Sequence, residues 1–224
     1  MIVIIIILLV AVLTVNTFLR QPQFGVLPKK ERAKRIMESA NWRDGYFQNQ
    51  HITPSLTEGV SYYAVLKEFF FQKRKSVKPR GLMPAMKTDL HSIDPDRNVL
   101  VWFGHSSYFM QVDGKKILVD PVFSGAASPV KFTTRSFPGT DIYTTADIPE
   151  IDFLFISHDH WDHLDYETVL LLKPKIKTVI TGLGTAAHLE RWGYDPDRIL
   201  TSPPFPIPKY VSMTFILLSC LISC

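Results

Sequence analysis

Cysteine is nearly absent from this sequence. Its two cysteines, Cys220 and Cys224, both lie among the last five of 224 residues, so a fold built on several disulfides is excluded. Internal repeats are also lacking, and the 25 lysines and arginines are spread along the chain rather than gathered in a groove with aromatic residues. Nucleic-acid binding is therefore not indicated.

Charged residues are missing from the N-terminus. Residues 1–19 contain none, and Ile2 to Leu13 is an uninterrupted apolar run. About 19 residues just suffice for one membrane-spanning helix, and the basic residues that precede the apolar run of a signal peptide are absent. Basic residues instead follow from Arg20 onward, which by the positive-inside rule places the body of the protein in the cytoplasm. We therefore expect a transmembrane anchor or uncleaved signal at residues 1–19, with the lipid bilayer as a partner.

A cluster of potential metal ligands follows a predicted core strand. The apolar run from Ile151 to Ile156 is typical of a buried strand, and the pattern His-x-His-x-Asp-His comes directly after it. Zinc binds imidazole nitrogen and carboxylate oxygen. His158 and His160 project to the same side of an extended segment and can hold one ion, whereas a turn must bend Asp162 and His163 toward a second ion. Two such ions lie about 3.5–4 Å apart and activate a water for hydrolysis near neutral pH.

Other polar residues around this pattern are candidates for supporting roles. Asp165 is expected to orient a ligand histidine through a hydrogen bond, and Asp159 to be a solvated spacer. Trp161 is expected to pack or to line a pocket. His105 and Asp120 follow predicted strands, and we expect them to support the ligands or to contact substrate rather than to bind metal directly.

Three segments of the sequence share their residues with a known family. They are Trp102-Phe103-Gly104-His105-Ser106, Asp120-Pro121-Val122-Phe123-Ser124 and the run from Ser157 to Asp165. Together they resemble the motifs of the metallo-β-lactamase superfamily, and in particular of the branch that contains N-acylphosphatidylethanolamine-hydrolysing phospholipase D. The resemblance covers residues 22–199.

This resemblance implies a fold and a chemistry. The fold is α/β, an αββα sandwich of which residues 98–200 form the N-terminal half. The site is a pair of zinc ions, with His158 and His160 on one ion and Asp162 and His163 on the other, and Asp162 also orients the attacking hydroxide. The implied activity is zinc-dependent hydrolysis of a phosphodiester or ester bond. An N-acyl phospholipid is the implied substrate, and a sugar lactone is an alternative within the same fold.

The sequence departs from this family after the metal-ligand pattern. Family members supply a further histidine, a bridging aspartate and a final histidine, whereas only His188 follows His163 here. We expect His188 to be a surface or packing residue. Beyond residue 200 the composition changes to a proline-rich and then apolar tail, which we interpret as the product of a truncated or out-of-frame gene. The alternative to a hydrolase is therefore a catalytically incomplete, non-enzymatic fragment.

We divide the chain into four regions on these grounds. They are an anchor at 1–19, a linker and helical extension at 20–97, the half-domain at 98–200 and the aberrant tail at 201–224. Within the extension, residues 62–75 are predicted to form a helix that docks on the half-domain. The alternative is a helix that lies on the membrane surface.

Overall fold

The N-terminal apolar run forms one continuous helix. The structure is a computed structural model that describes residues 1–49, 51, 54–72 and 77–201, so the predicted tail lies outside the described residues except for Thr201. Helix α1 (Ile2–Leu19) has 18 residues, none of them buried, and its length and composition suit a membrane span. A signal sequence near an N-terminus has the same properties, so α1 is a candidate for either.

The residues after α1 lie against the folded body of the protein. A single 3₁₀ turn (Pro22–Phe24) leads to helix α2 (Lys30–Met37), whose Ile36 is buried. We call residues 22–37 the strap. A short hairpin of strands β1 (Trp42–Arg43) and β2 (Tyr46–Phe47) follows it.

Helix α3 does not dock as predicted. It runs over Tyr62–Phe71 and begins at Ser61, whose hydroxyl accepts a hydrogen bond from the backbone N–H of Ala64, as an N-cap does. The expectation that this helix packs on the half-domain is wrong, since none of its residues is buried. Val65, Leu66 and Phe69 form an apolar face, but they remain exposed, because the pattern of a helix does not decide whether another element lies near enough to cover it. Part of the predicted helix, residues 73–76, lies outside the described residues.

Six strands form one sheet in which neighbours in sequence are neighbours in space. The strands are β3 (Val99–Gly104), β4 (Ser107–Val112), β5 (Lys115–Val119), β6 (Ile151–Ile156), β7 (Ile176–Thr181) and β8 (Ile199–Thr201). β3, β4 and β5 pair antiparallel, and β5 to β8 pair in parallel. The tight turn from β4 to β5 is Asp113-Gly114, whose φ angles of 48° and 71° are those that Asp-Gly hairpin turns require.

The main core lies between this sheet and two helices, α4 (Tyr166–Leu172) and α5 (Ala186–Arg191). Leu118 and Leu154 of the sheet are fully buried in one cluster with Val169 of α4 and Leu189 of α5. Successive residues of a strand face opposite sides, so Phe155 belongs to a smaller cluster on the other face of the sheet. The α/β fold predicted from the sequence is confirmed. Among the described residues, the other strands are those of the β1–β2 hairpin.

Candidate metal centre

Strand order brings three loops to one edge of the sheet. β5 and β6 are parallel, so Asp120 and Ser157, which follow them, lie side by side at their carboxyl ends. β3 runs antiparallel to β4, which in turn runs antiparallel to β5, so the β3–β4 turn with His105 reaches the same edge. This edge is where the predicted ligands gather.

The His-x-His-x-Asp-His segment turns back on itself after β6. The backbone N–H groups of His163 and Leu164 both donate to the carbonyl oxygen of His160, over 3.0 and 2.8 Å. The rings of the three histidines lie close together, edge-to-face or tilted rather than stacked. The ring centroid of His158 lies 4.4 Å from that of His160 and 4.0 Å from that of His163.

A buried carboxylate orients two of these histidines. Asp120 is 2% exposed, and its carboxylate accepts hydrogen bonds from the Ser157 backbone N–H (2.8 Å), the Ser157 hydroxyl (2.7 Å) and His163 Nδ1 (2.8 Å). A carboxylate only accepts, so His163 Nδ1 carries the proton and its Nε2 keeps a free lone pair. The Ser157 hydroxyl has one proton, which it donates to Asp120. The Ser157 Oγ atom therefore accepts a hydrogen bond from His158 Nδ1 at 2.9 Å. Both rings therefore present Nε2 as the metal-binding atom, which is the usual arrangement of ligand histidines.

His105 joins the cluster from the β3–β4 turn. Its Nε2 lies 2.9 Å from Asp162 Oδ2, and that oxygen lies 3.6 Å from His163 Nε2. The three side chains offer ligand atoms that all lie within 4.8 Å of one another, so they can hold a metal ion. From the sequence His105 is expected only to support the ligands or to contact substrate, whereas its position makes it a possible direct ligand. Its φ of 47° after a glycine is a rare conformation of the kind that clusters at functional sites.

The local electrostatics favour the forms of these groups that bind metal. Burial lowers the pKa of His158, and the neighbouring charges of His163 and His160 lower it further. Burial alone would raise the pKa of Asp162, but its own backbone N–H together with His163 and His105 outweighs burial, and the net shift is downward. Neutral imidazole and ionised carboxylate are the protonation states that a metal requires.

The donor set fits a divalent metal ion. It contains the imidazole nitrogens of the histidines and the ionised carboxylate of Asp162. The carboxylate of Asp120 supports the ligand His163 through a hydrogen bond. Such nitrogen and oxygen ligands suit zinc and several other first-row metals.

Three remaining residues of the segment contact other parts of the protein. Asp165 accepts from the backbone N–H groups of Phe123 and Ser124, at 3.2 and 2.9 Å, and from the Thr168 hydroxyl. Its hydrogen bonds thus hold the loop after β5 instead of a ligand histidine, contrary to the expectation from sequence.

Asp159 and Trp161 alternate with the ligands and contact other parts of the protein. Asp159 is solvated as expected, with 57% of its side chain exposed, and its Oδ2 also lies 3.4 Å from His188 Nε2. Trp161 packs edge-to-face on Phe24 of the strap, with ring centroids 5.5 Å apart. His188 is packed, with 14% of its side chain exposed, and its ring stacks on Trp192.

Comparison with known proteins agrees with this geometry. The profile of a family described as "Beta-lactamase superfamily domain" matches residues 115–213, which include Asp120 and the whole His-x-His-x-Asp-His segment.

Several curated proteins are similar to part of this chain. An uncharacterized protein of Mycobacterium tuberculosis is 31% identical over 164 residues, which cover 73% of this chain and 44% of that protein. The N-acyl-phosphatidylethanolamine-hydrolyzing phospholipase D 1 of Caenorhabditis elegans is 36% identical over 104 residues, 43% of this chain and 28% of its own. A metal-dependent hydrolase of Caldivirga maquilingensis is 32% identical over 90 residues, 40% of this chain and 34% of its own. The chain thus spans less than half of the length of these relatives.

Proposed function

The chain belongs to the metallo-β-lactamase superfamily, and on that premise we propose that it is a zinc-dependent hydrolase of N-acyl phospholipids. The bond cleaved is the phosphodiester bond on the side of the N-acylethanolamine, so water and the lipid yield a phosphatidic acid and an N-acylethanolamine. The observation that carries a metal-dependent site is the hydrogen-bonded set His163–Asp120–Ser157–His158, which presents two imidazole Nε2 atoms at one sheet edge.

The proposed roles follow from the contacts of each side chain. His158 and His160 would hold one zinc ion, and Asp162 and His163 would hold the other, with His105 as a further possible ligand beside Asp162. A metal ion bound there supplies Lewis-acid activation of the phosphodiester and acidifies a water. Asp162, kept ionised, accepts a hydrogen bond from the attacking water and orients it. His105 Nε2, at 2.9 Å from Asp162 Oδ2, would help to hold that carboxylate in place.

Two observations support a lipid substrate. The Caenorhabditis elegans relative is named for hydrolysis of N-acyl-phosphatidylethanolamine. In addition, a chain of aromatic contacts links the candidate membrane span to the site: Phe18 of α1 contacts Phe24 at 5.1 Å, and Phe24 contacts Trp161. These contacts bring Trp161 near the C-terminal end of α1, and in this proposal α1 spans a bilayer whose surface supplies the lipid.

The test uses the full chain in lipid nanodiscs that contain N-acyl-phosphatidylethanolamine. We expect close to two zinc ions per chain by elemental analysis, and release of N-acylethanolamine by mass spectrometry. His158→Ala removes a proposed ligand and is expected to lower both zinc content and product. His91→Ala is the matched control, since His91 is exposed and lies outside the cluster.

The possible results separate the two functions considered from the sequence. Zinc binding without hydrolysis would indicate the catalytically incomplete alternative. Hydrolysis that is unchanged in His158→Ala, or a chain that binds no metal at all, would contradict the proposal.

A further inference from the structure

The two residues that alternate with the ligands each contact a part of the protein outside the metal-ligand pattern. Asp159 lies between His158 and His160, and Trp161 lies between His160 and Asp162. Asp159 contacts His188 of α5, and Trp161 contacts Phe24 of the strap. The orientation of the ligand side chains therefore depends on the contacts that Asp159 and Trp161 make with α5 and the strap.

His188 is itself oriented by the strap. The backbone N–H of Val26 donates to His188 Nδ1 at 3.0 Å, so Nδ1 carries no proton in the neutral ring and Nε2 does. His188 Nε2 lies 3.4 Å from Asp159 Oδ2, within ion-pair distance.

The close approach of strap and ring requires a glycine. Gly25 has a φ of 66°, and a Cβ atom at this position would lie 1.7 Å from His188 Nδ1. The backbone of the strap can reach the ring only because residue 25 has no side chain.

The strap is anchored firmly enough to transmit this orientation. Arg32 forms a two-point ion pair with Glu190 of α5, and both side chains are largely buried. The indole N–H of Trp192 donates to the Pro22 carbonyl at 2.8 Å, which fixes the start of the strap. At its other end, Arg35 donates to the Thr201 hydroxyl at 3.0 Å.

We propose that the strap is a positioning element of the metal centre and that His188 is its positioning residue. Val26 sets the tautomer of His188, His188 holds Asp159, and Asp159 holds the backbone between His158 and His160 so that both rings face the same ion. The expected effect on metal affinity rests on the proposed function, whereas the expected effect on the order of residues 157–164 does not. Neither His188 nor the strap binds metal or substrate in this scheme.

The experiment separates the two contacts of His188. In His188→Asn the side-chain oxygen replaces Nδ1 as acceptor for Val26, but the side chain is too short to reach Asp159. In His188→Gln the longer amide can donate to Asp159. With the full chain in detergent, zinc affinity is measured by competition with a chelator, and backbone exchange of residues 157–164 is measured by deuterium exchange without metal.

We expect His188→Asn to weaken zinc binding about tenfold and to speed exchange of residues 157–164, as loss of a group supporting a ligand does. Asp159→Asn is expected to have the same effect, and the double variant to be no worse than either single one, since they break one contact. His188→Gln should recover most of the loss, and His91→Asn should show none.

Two results would overturn the inference. One is a His188→Asn protein with unchanged exchange in residues 157–164. The other is that His188→Gln shows the whole effect of His188→Asn and that both variants lose thermal stability equally. A purely structural histidine would give that result. If the wild-type chain binds no zinc, the proposed function fails, and the exchange measurement still decides the inference.

Discussion

His163 donates its Nδ1 proton to the buried carboxylate of Asp120 over 2.8 Å, across 43 positions of sequence. The contact joins the ends of two neighbouring parallel strands and leaves His163 Nε2 unprotonated, with the Ser106 hydroxyl 3.4 Å away. Because the orientation of a ligand ring decides how well it binds, loss of such a partner typically costs about 10–100-fold in metal affinity.

We therefore expect Asp120→Asn to weaken zinc binding by about 10–100-fold, since an amide can turn its own N–H toward His163 Nδ1 and force the other tautomer. Zinc affinity is measured by chelator competition on the full chain. Asp165→Asn is the matched control, because Asp165 is also buried but bonds to the loop after β5. An equal loss in both variants would mean that general loosening, not the contact with His163, sets the affinity.

A pair of glycines tests how closely the strap packs. Gly25 and Gly45 both have positive φ, 66° and 85°, but only Gly25 has atoms in the space that a Cβ would fill. Gly45→Ala is expected to cost about 1 kcal/mol of unfolding free energy for its backbone conformation alone. Gly25→Ala is expected to cost clearly more, because its methyl group collides with the His188 ring. Thermal unfolding and the rate of proteolysis within residues 22–37 measure the difference, and equal behaviour of the two variants would contradict the close packing.

The ion pair of Asp152 and Lys177 predicts a dependence of stability on pH. Asp152 accepts from Lys177 Nζ at 2.8 Å and from the Lys116 backbone N–H at 2.9 Å. Burial alone would raise the pKa of Asp152, but these two hydrogen bonds outweigh it and the net shift is downward. The unfolded chain thus holds this proton more tightly than the folded chain, so the stabilisation is complete above the ordinary aspartate pKa and is lost as the pH falls through the lower folded value.

We expect Asp152→Asn to lower the unfolding free energy by about 1 kcal/mol at pH 7, and by much less at pH 3. Thermal unfolding at both pH values gives the comparison. Asp141→Asn, at an exposed position, is the control and should change little at either pH. A difference that does not shrink in acid would rule out the ion pair as its source.

A buried and an exposed leucine test how much core packing contributes to the unfolding free energy. Leu154 in the middle of β6 is fully buried, whereas Leu171 in α4 is 63% exposed. Leu154→Ala should lower the unfolding free energy by about 2–5 kcal/mol through lost burial and the cavity left behind. Leu171→Ala should change it by less than about 0.5 kcal/mol. Denaturant unfolding measures both, and a small effect of Leu154→Ala would contradict its place in the core.

Much of the local structure could be predicted from the sequence. Strand β6 has the predicted bounds, Ile151–Ile156, because it is a short apolar pattern with clear polar ends. The Asp113-Gly114 turn is set just as locally, since few residue pairs tolerate two positive φ angles. The prediction for α3 failed because a helix propensity says nothing about whether another element is near enough to cover it.

The sequence by itself determined the α/β fold and the clustering of ligand-type residues after β6, since both depend on residues close together in the chain. Only the tertiary structure decided which groups support those residues. His105 meets Asp162 across 57 positions, and Val26 meets His188 across 162. Such contacts are set by strand order and by the path of the strap, and no local pattern of residue types encodes a distance of that kind. Asp120 was a candidate on sequence grounds, but its particular partners became definite only when β5 and β6 were placed side by side.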